Sequence, residues 1–449
     1  MSSTNALAGY SLYEGQYGDL NAGLFAETAA FGEINNNGGG AYKTGLTDGF
    51  IDINIKPHIE GSFNTYNNSK LYGGFSYSYT SSAGHDPSGF THDRYIYGPT
   101  LTQESDYIQY GTYNDYRNMF ATEDLYAGWK SGKILDENEK ISIDLSGGRQ
   151  KYNIGSGFLI SYGADNGGKR GGGYLWPRTS FDNTLIGRVN FFDTKFEGFY
   201  LETRPLNPAD KRSYAGTNIE HVISDTSSIG FTYINTQNKR SLHEDNSSVS
   251  LGIQNVNNDT YDGRFEFSPL ENFQFSSEYA YQVNTTTVID KSTLDASGGF
   301  GQITYKREDW YLKPALSYRY AIQSENFDGM SPGMTGWGTW FQGEITGMWM
   351  LYNTNLITHM TKLVVNPRED ISTNLIYFKY SFLDPSVFGQ TSGNYGDEIN
   401  LITDWQYDEA IKLTASLAGF IPGEGGKQYM GGDANQTWLQ GMLYASYNY

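Results

Sequence analysis

Strict alternation of oily and wet residues is what most limits how this chain can fold. Over residues 51–64, Ile51, Ile53, Ile55, Ile59 and Phe63 hold one parity, while Asp52, Asn54, Lys56, His58, Glu60, Ser62 and Asn64 hold the other. Successive side chains of a β-strand point to opposite faces, so this segment has one apolar face and one polar, charged face. The pattern returns at 261–268, where Tyr261, Phe265 and Phe267 alternate with Asp262, Arg264, Glu266 and Ser268. It returns again at 309–321, with Trp310, Leu312, Leu316, Tyr318 and Tyr320 against Tyr311, Lys313, Ser317 and Arg319, and in the final segment. Helical periodicity is almost absent. The chain is all-β.

Carried along the whole sequence, the alternation predicts eighteen strands: 19–30, 50–63, 70–80, 120–129, 140–150, 183–191, 195–204, 214–223, 228–237, 259–268, 272–284, 298–306, 309–321, 354–365, 370–383, 396–406, 410–421 and 437–449. Short turns and long Gly/Asn/Ser-rich loops alternate between them, which is the signature of an outer-membrane β-barrel. Tyr and Trp at the strand ends suit aromatic girdles at two membrane interfaces. A soluble sandwich does not require them, and the absence of a fixed 20–50-residue repeat argues against a solenoid or propeller. A single transmembrane antiparallel barrel over residues 1–449 is therefore expected. Pro57 and Pro314 fall inside expected strands, where a missing N–H interrupts a ladder, and are read as local bulges.

Composition closes off other classes. The 449 residues contain no Cys, so disulfide scaffolds, zinc–cysteine sites and thiol nucleophiles are excluded. Aromatics make up 16% of the chain, which argues against disorder. A formal net charge of −19 disfavours nucleic acid as a partner. No apolar run reaches the roughly 18 residues a spanning helix needs. The first residues, Met1-Ser-Ser-Thr-Asn-Ala6, lack the pattern of a secretory signal, so the barrel reading expects a mature chain with an added start Met. The last strand ends on Tyr449, and a terminal aromatic there resembles the signal read by the outer-membrane assembly machinery.

A closed barrel satisfies every backbone hydrogen bond within lipid. With eighteen strands it is wide enough to leave an aqueous lumen, and a polar lumen implies transport. By parity, the inward basic residues are Lys56, Arg188, Arg204, Arg264, Lys313, Arg319 and Lys379. The inward acids include Asp52, Glu60, Asp124, Asp144, Glu202, Asp262, Glu266, Glu278, Glu398 and Asp404. The lumen is therefore mixed in charge, and pairing with a carboxylate across strands is the ordinary fate of any one of these arginines. Tyr126, Tyr311 and Tyr377 are candidate lumen aromatics. Two loops stand out: 151–182, with the basic tract Gly167-Gly-Lys-Arg-Gly-Gly-Gly173, and 322–353, unusually rich in Met and Trp. The first could fold into the mouth and gate it. The second is expected to fold inward or pack on the rim as a plug, or to add irregular β structure, and a strand at 338–351 would need another to keep the count even. Acidic loops could also bridge lipopolysaccharide through divalent cations such as Ca2+, although solvated charge is the better explanation of them. The six histidines are scattered, with neither H-E-x-x-H nor Gly-x-Ser-x-Gly, so an enzyme is disfavoured and no cofactor is expected.

Gly148-Arg149-Gln150, a loop, then Arg178-Thr-Ser-Phe181-Asp182 resembles the alginate-export porin family, as does the stretch from Asn400-Leu-Ile-Thr-Asp-Trp405 to Ala415-Ser-Leu-Ala-Gly-Phe-Ile-Pro-Gly423. That resemblance implies an 18-stranded barrel passing an anionic saccharide through an arginine-rich constriction. It adds Arg149, Arg178 and Asp182 to the pore residues. Arg149 is in phase with Ile141, Ile143 and Leu145, so a bulge at Gly147-Gly148 is needed to turn it inward. The functional expectation is export of an acidic exopolysaccharide or diffusion of an acidic oligosaccharide. A general porin taking up small polar solutes is the alternative. Lipid bilayer and lipopolysaccharide are the expected surroundings.

Overall fold

The computed structural model describes residues 9–36, 46–84, 116–163, 173–175, 179–204, 211–238, 257–284, 295–333, 342–351, 353–430 and 436–449. Nineteen strands run in chain order: β1 Tyr10–Gly15, β2 Gly18–Asn36, β3 Leu46–Asn64, β4 Lys70–Gly84, β5 Tyr116–Lys130, β6 Ile141–Lys151, β7 Ser180–Phe191, β8 Thr194–Glu202, β9 Arg212–Ser224, β10 Ser227–Asn238, β11 Asn258–Leu270, β12 Phe273–Asn284, β13 Ala296–Lys306, β14 Ala315–Gln323, β15 Leu356–Arg368, β16 Ile371–Phe382, β17 Asn394–Gln406, β18 Ile411–Pro422 and β19 Trp438–Asn448.

Strands β2 to β19 pair antiparallel with their sequence neighbours, and β19 returns to β2 from Leu439↔Ile34 to Asn448↔Phe25. The result is a closed barrel of eighteen strands, with no free edge along the seam. These eighteen correspond one for one to the segments read from alternation. β1 was not anticipated. It pairs with β2 from Tyr10↔Ala22 to Gly15↔Gly18, beyond the point where β19 ends, and Leu24 exchanges both main-chain hydrogen bonds with Tyr449.

One expected strand is misplaced. β14 begins at Ala315, and Trp310 to Lys313 instead form the turn after β13, closed by a bond from Arg307 N–H to Pro314 O. Pro314 therefore precedes its strand. Pro57 does lie within β3, opposite Leu24. Its register with β4 runs unbroken from Ile55↔Tyr79 to His58↔Ser76, so the ladder merely skips Lys56 and Pro57 and no bulge is needed.

The outer surface is apolar, the inner surface wet. On β3, Ile51 is 51% exposed and its neighbour Asp52 is 0% exposed, an alternation that persists down the strand. Toward the long-loop end, outward tyrosines cap this apolar surface. Tyr200 donates to Glu202 at 2.9 Å, Tyr233 to Asp259 at 2.8 Å and Tyr377 to Asp397. Each ring lies against the apolar wall while its hydroxyl reaches a carboxylate at the wet margin, as an interfacial girdle requires.

Two long connections do not stay outside. The β6–β7 loop sends Phe158, Leu159 and Ile160 against inward residues of the wall, among them Phe199 and Tyr214, and against Phe327 of the β14–β15 loop. Burying each such side chain contributes about 1.5–3 kcal/mol, so the loop is held in the lumen rather than over it. The β14–β15 loop contributes a π-helical turn, Gly343–Met350, packed with Tyr380, Phe420 and Trp438 on the facing wall. The two loops also bond to one another: Ser161 N–H donates to Ser331 O at 2.7 Å and Gly333 N–H to Gly157 O at 2.6 Å. Residues 338–351 are thus no additional strand over their described part.

Candidate functional site

The lumen wall from β6 to β12 carries a chain of ion pairs. Arg188 Nε bonds Glu197 at 2.8 Å and its Nη1 lies 3.6 Å from Asp144. Lys195 bridges Glu197 at 3.1 Å and Glu220 at 2.7 Å. Arg264 continues the chain to Glu220 at 2.7 Å and Asp262 at 3.1 Å, and takes Thr232 Oγ1 at 2.7 Å. These contacts follow from register, because Asp144, Arg188 and Glu197 stand directly opposite one another on successive strands, as do Arg264 and Glu278. Three cations meet five carboxylates, so the arc is acidic overall despite its arginines.

The inward loop sits directly on this arc. Arg188 lies 5.8 Å from the centre of the Tyr152 ring, and Ser156 donates to Glu278 at 2.6 Å. At Gly155 the backbone is left-handed and a Cβ would stand 2.6 Å from Arg264 Cδ, so glycine is required for the loop to approach. Arg188 keeps 28% side-chain exposure and Arg264 only 10%. Arg188 is thus the more accessible of the two.

A second cluster anchors the loop's return. On β5, Glu123 and Asp124 both face inward because the β4–β5 register slips between Ser76 and Tyr77. Glu123 accepts from Thr179 Oγ1 at 2.8 Å, from the N–H of Thr179 and Ser180 at 3.1 Å each, and from Arg204 at 2.7 Å. Sequence parity predicts Asp124 and hides Glu123, since a bulge leaves no mark in composition. The loop's middle is held from another wall: Asp52 Oδ2 accepts from the N–H of Tyr174 and Leu175. The β14–β15 loop is held likewise. Asp328 pairs with Arg212 and exchanges two 2.8 Å bonds with Gln282, and Glu398 accepts from Ile345 N–H at 3.0 Å and Thr346 N–H at 2.8 Å.

Of the residues expected to line the pore, Arg188, Arg264 and Arg319 lie on inward parity, as does Asp404, which bonds Lys412 at 2.9 Å and Thr414 at 2.7 Å. Glu266 lies on inward parity near the short-turn end, opposite Ser228. Arg204 lies past the end of β8 and turns in to Glu123. Seven placements correct the sequence reading. Arg149 stands opposite Leu125, which is 58% exposed on the outer face, and so projects outward. The β6–β7 irregularity at Gly148 adds its extra residue to β7, bringing Phe181 and Thr184 inward without turning Arg149, which pairs with Asp182 on the outer side. Asp182 also takes Lys211 at 3.1 Å, beside Glu202, and Glu202 shares the outward parity of Tyr200. Lys379 faces outward, 3.8 Å from Asp397, and Tyr377 shares its parity. Lys313 sits exposed in the turn before β14, as does Tyr311, while Tyr126 faces inward. Arg178, residues 167–172 of the basic tract, and Met334, Trp337 and Trp340 lie outside the described residues.

No known protein family matches the chain, and no curated protein matches it in sequence. Solved structures do match in fold. The outer membrane protein opdK from Pseudomonas aeruginosa covers 96% of this chain and 98% of its own, with 10% identity and a TM-score of 0.56. Acinetobacter baumannii OccAB2 gives 0.55 at 11% identity over 96% and 98% of the two chains. P. aeruginosa OpdK with vanillate gives 0.55 at 10% identity over 95% and 98%. The likeness is one of fold: the closed 18-strand antiparallel barrel.

Proposed function

We propose that the protein is an outer-membrane channel for small polar solutes, with its short turns in the periplasm and its long loops outside. The observation that carries this reading is a closed barrel, apolar outside, whose charged lumen is narrowed by two loops pinned to its wall and to each other. An apolar exterior with tyrosine girdles suits hydrocarbon, and a lumen lined by both signs of charge orients polar solutes. Polymer export fits less well. A polysaccharide needs a continuous bore, whereas the described parts of both loops pack apolar side chains against the wall in the long-loop half of this lumen. The arginine-rich constriction implied by the alginate-export resemblance also loses support, since Arg149 faces out and Arg204 and Arg264 are consumed in buried pairs. The fold likeness to OpdK, solved with vanillate, adds weight to a solute of that size. Lipopolysaccharide contact and assembly through the C-terminal strand belong to the same proposal.

Reconstitution tests it. Proteoliposomes should swell with small charged solutes and exclude oligosaccharides, and planar bilayers should show small single-channel currents. Reconstituted protein that conducts nothing, or that passes long polysaccharide freely, overturns the reading.

A further inference from the structure

Two cavities open on the lumen at its short-turn end, of about 570 Å³ and about 290 Å³, and both are lined by Lys70 and Lys130. These lysines stand directly opposite one another on β4 and β5. Like charges at opposed positions destabilise a strand pair. Asp144 lies 3.9 Å from Lys130 and offsets part of that repulsion. The arrangement remains a cationic lip that an anion would relieve.

The smaller cavity has a different far side. It is bounded by Glu60 and Asp19 and floored by Tyr72 and Tyr126. The two rings meet edge to face with centroids 6.4 Å apart. Glycines make the floor possible. A Cβ on Gly74 would stand 2.8 Å from the Tyr126 ring, and one on Gly128 would stand 2.3 Å from the Tyr72 ring. Only glycine lets both rings lie against the inner wall. Tyr72 is fixed further by its hydroxyl bond to Asp144, with Lys130 Nζ 5.1 Å from the ring centre.

One vestibule thus offers cations at one end, carboxylates at the other and an aromatic surface between them. We propose that it is a binding station for zwitterionic peptides of two or three residues. The spacing sets the class. Lys70 is opposite Asn64, and Glu60 lies four residues back along β3, about 13 Å at about 3.3 Å per residue. Lysine leaning along the wall shortens that gap. An extended di- or tripeptide spans about 7–10 Å between its ends, whereas the charges of a single α-amino acid are too close to reach both groups. The carboxylate end meets Lys70 and Lys130, the ammonium end meets Glu60 and Asp19, and the tyrosine rings take the side chains. This inference rests on the channel reading for its biological meaning but not for its test.

The test uses the full chain in planar bilayers, with trialanine, N-acetyl-trialanine and trialanine amide added on the short-turn side. Trialanine should interrupt the current for about tenfold longer than either capped peptide, as expected when one charge-assisted contact is lost. Glu60→Gln should remove the preference for a free amine, and Lys70→Gln with Lys130→Gln the preference for a free carboxylate. Equal dwell times for the three peptides, or preferences untouched in both variants, overturn the proposal. If the protein conducts no current, titration calorimetry in detergent with the same peptides decides the site separately. Binding of trialanine alone upholds the site while the channel reading falls, and no binding removes both.

Discussion

The carboxylate of Asp52 accepts the main-chain N–H of Tyr174 at 2.6 Å, across 122 residues of sequence. The same oxygen takes Leu175 N–H at 3.0 Å, so one side chain of β3 fastens the middle of the β6–β7 loop to the wall. Around it, Tyr174 and Leu175 pack with Phe31, Phe50 and Met442, and Trp349 of the other inward loop closes the cluster. Both loops meet at this point. Asp52 therefore ties the β6–β7 loop to the wall where the two loops meet.

Asp52→Ala should release the loop. Hydrogen bonds to a buried carboxylate are worth about 1.5–3 kcal/mol each, so losing two shifts the open-to-closed ratio by tenfold or more. Single-channel recording should show longer and larger openings. Traces indistinguishable from the unaltered protein would mean that the apolar cluster alone holds the loop.

Arg188 and Arg264 should behave differently, although both face inward. Arg188→Glu places a carboxylate on the accessible side of the arc and should move the reversal potential toward cation selectivity, at a smaller cost in stability because Lys195 still holds Glu197. Arg264→Glu leaves Asp262 unpaired beneath the loop and Glu220 with Lys195 alone. Breaking such a pair typically costs about 3–5 kcal/mol. Heat-dependent migration on gels should fall further for Arg264→Glu than for Arg188→Glu.

Arg149 and Lys379 provide the control. Both project from the outer side, so Arg149→Gln and Lys379→Gln should leave ion selectivity where it was. A shifted reversal potential in either variant would mean that the side chain reaches the conducting path.

Docking of the β14–β15 loop should depend on pH through Glu344. This residue is buried, and burial first, then the charges of Glu398 and Asp404, hold its carboxyl well above the ordinary carboxylate range. A raised folded value means that docking is complete below the ordinary carboxyl pKa and weakens as pH climbs toward the raised one. Open-state occupancy should therefore rise with pH, and Glu344→Gln should flatten that rise. A pH response of equal size in the variant would assign it to another group.

The alternation in residues 51–64 determined, without any structure, which face of β3 is polar, and its recurrence along the chain between alternating short turns and long loops pointed to a barrel. Period two is a property of the backbone, and an apolar outer face against a polar inner one writes it into the side chains. The same logic located the eighteen strands of the ring, though it began β14 six residues early, at 309 rather than Ala315. It failed where the tertiary structure removes the contrast it depends on. Along β16, Ile376, Phe378, Tyr380 and Phe382 face inward beneath the β14–β15 loop and are as apolar as the outward Leu375 and Tyr377, so the sequence offers no phase and Lys379 was set on the wrong face. At Glu123 and again at Phe181, one slipped residue inverts parity for the rest of the strand, and nothing local marks the slip. The loop anchors at Asp52, Asp328 and Glu398 join residues some 46 to 122 positions apart. Only closure of the ring, which sets those walls facing one another, decides that the loops turn inward and how much lumen is left.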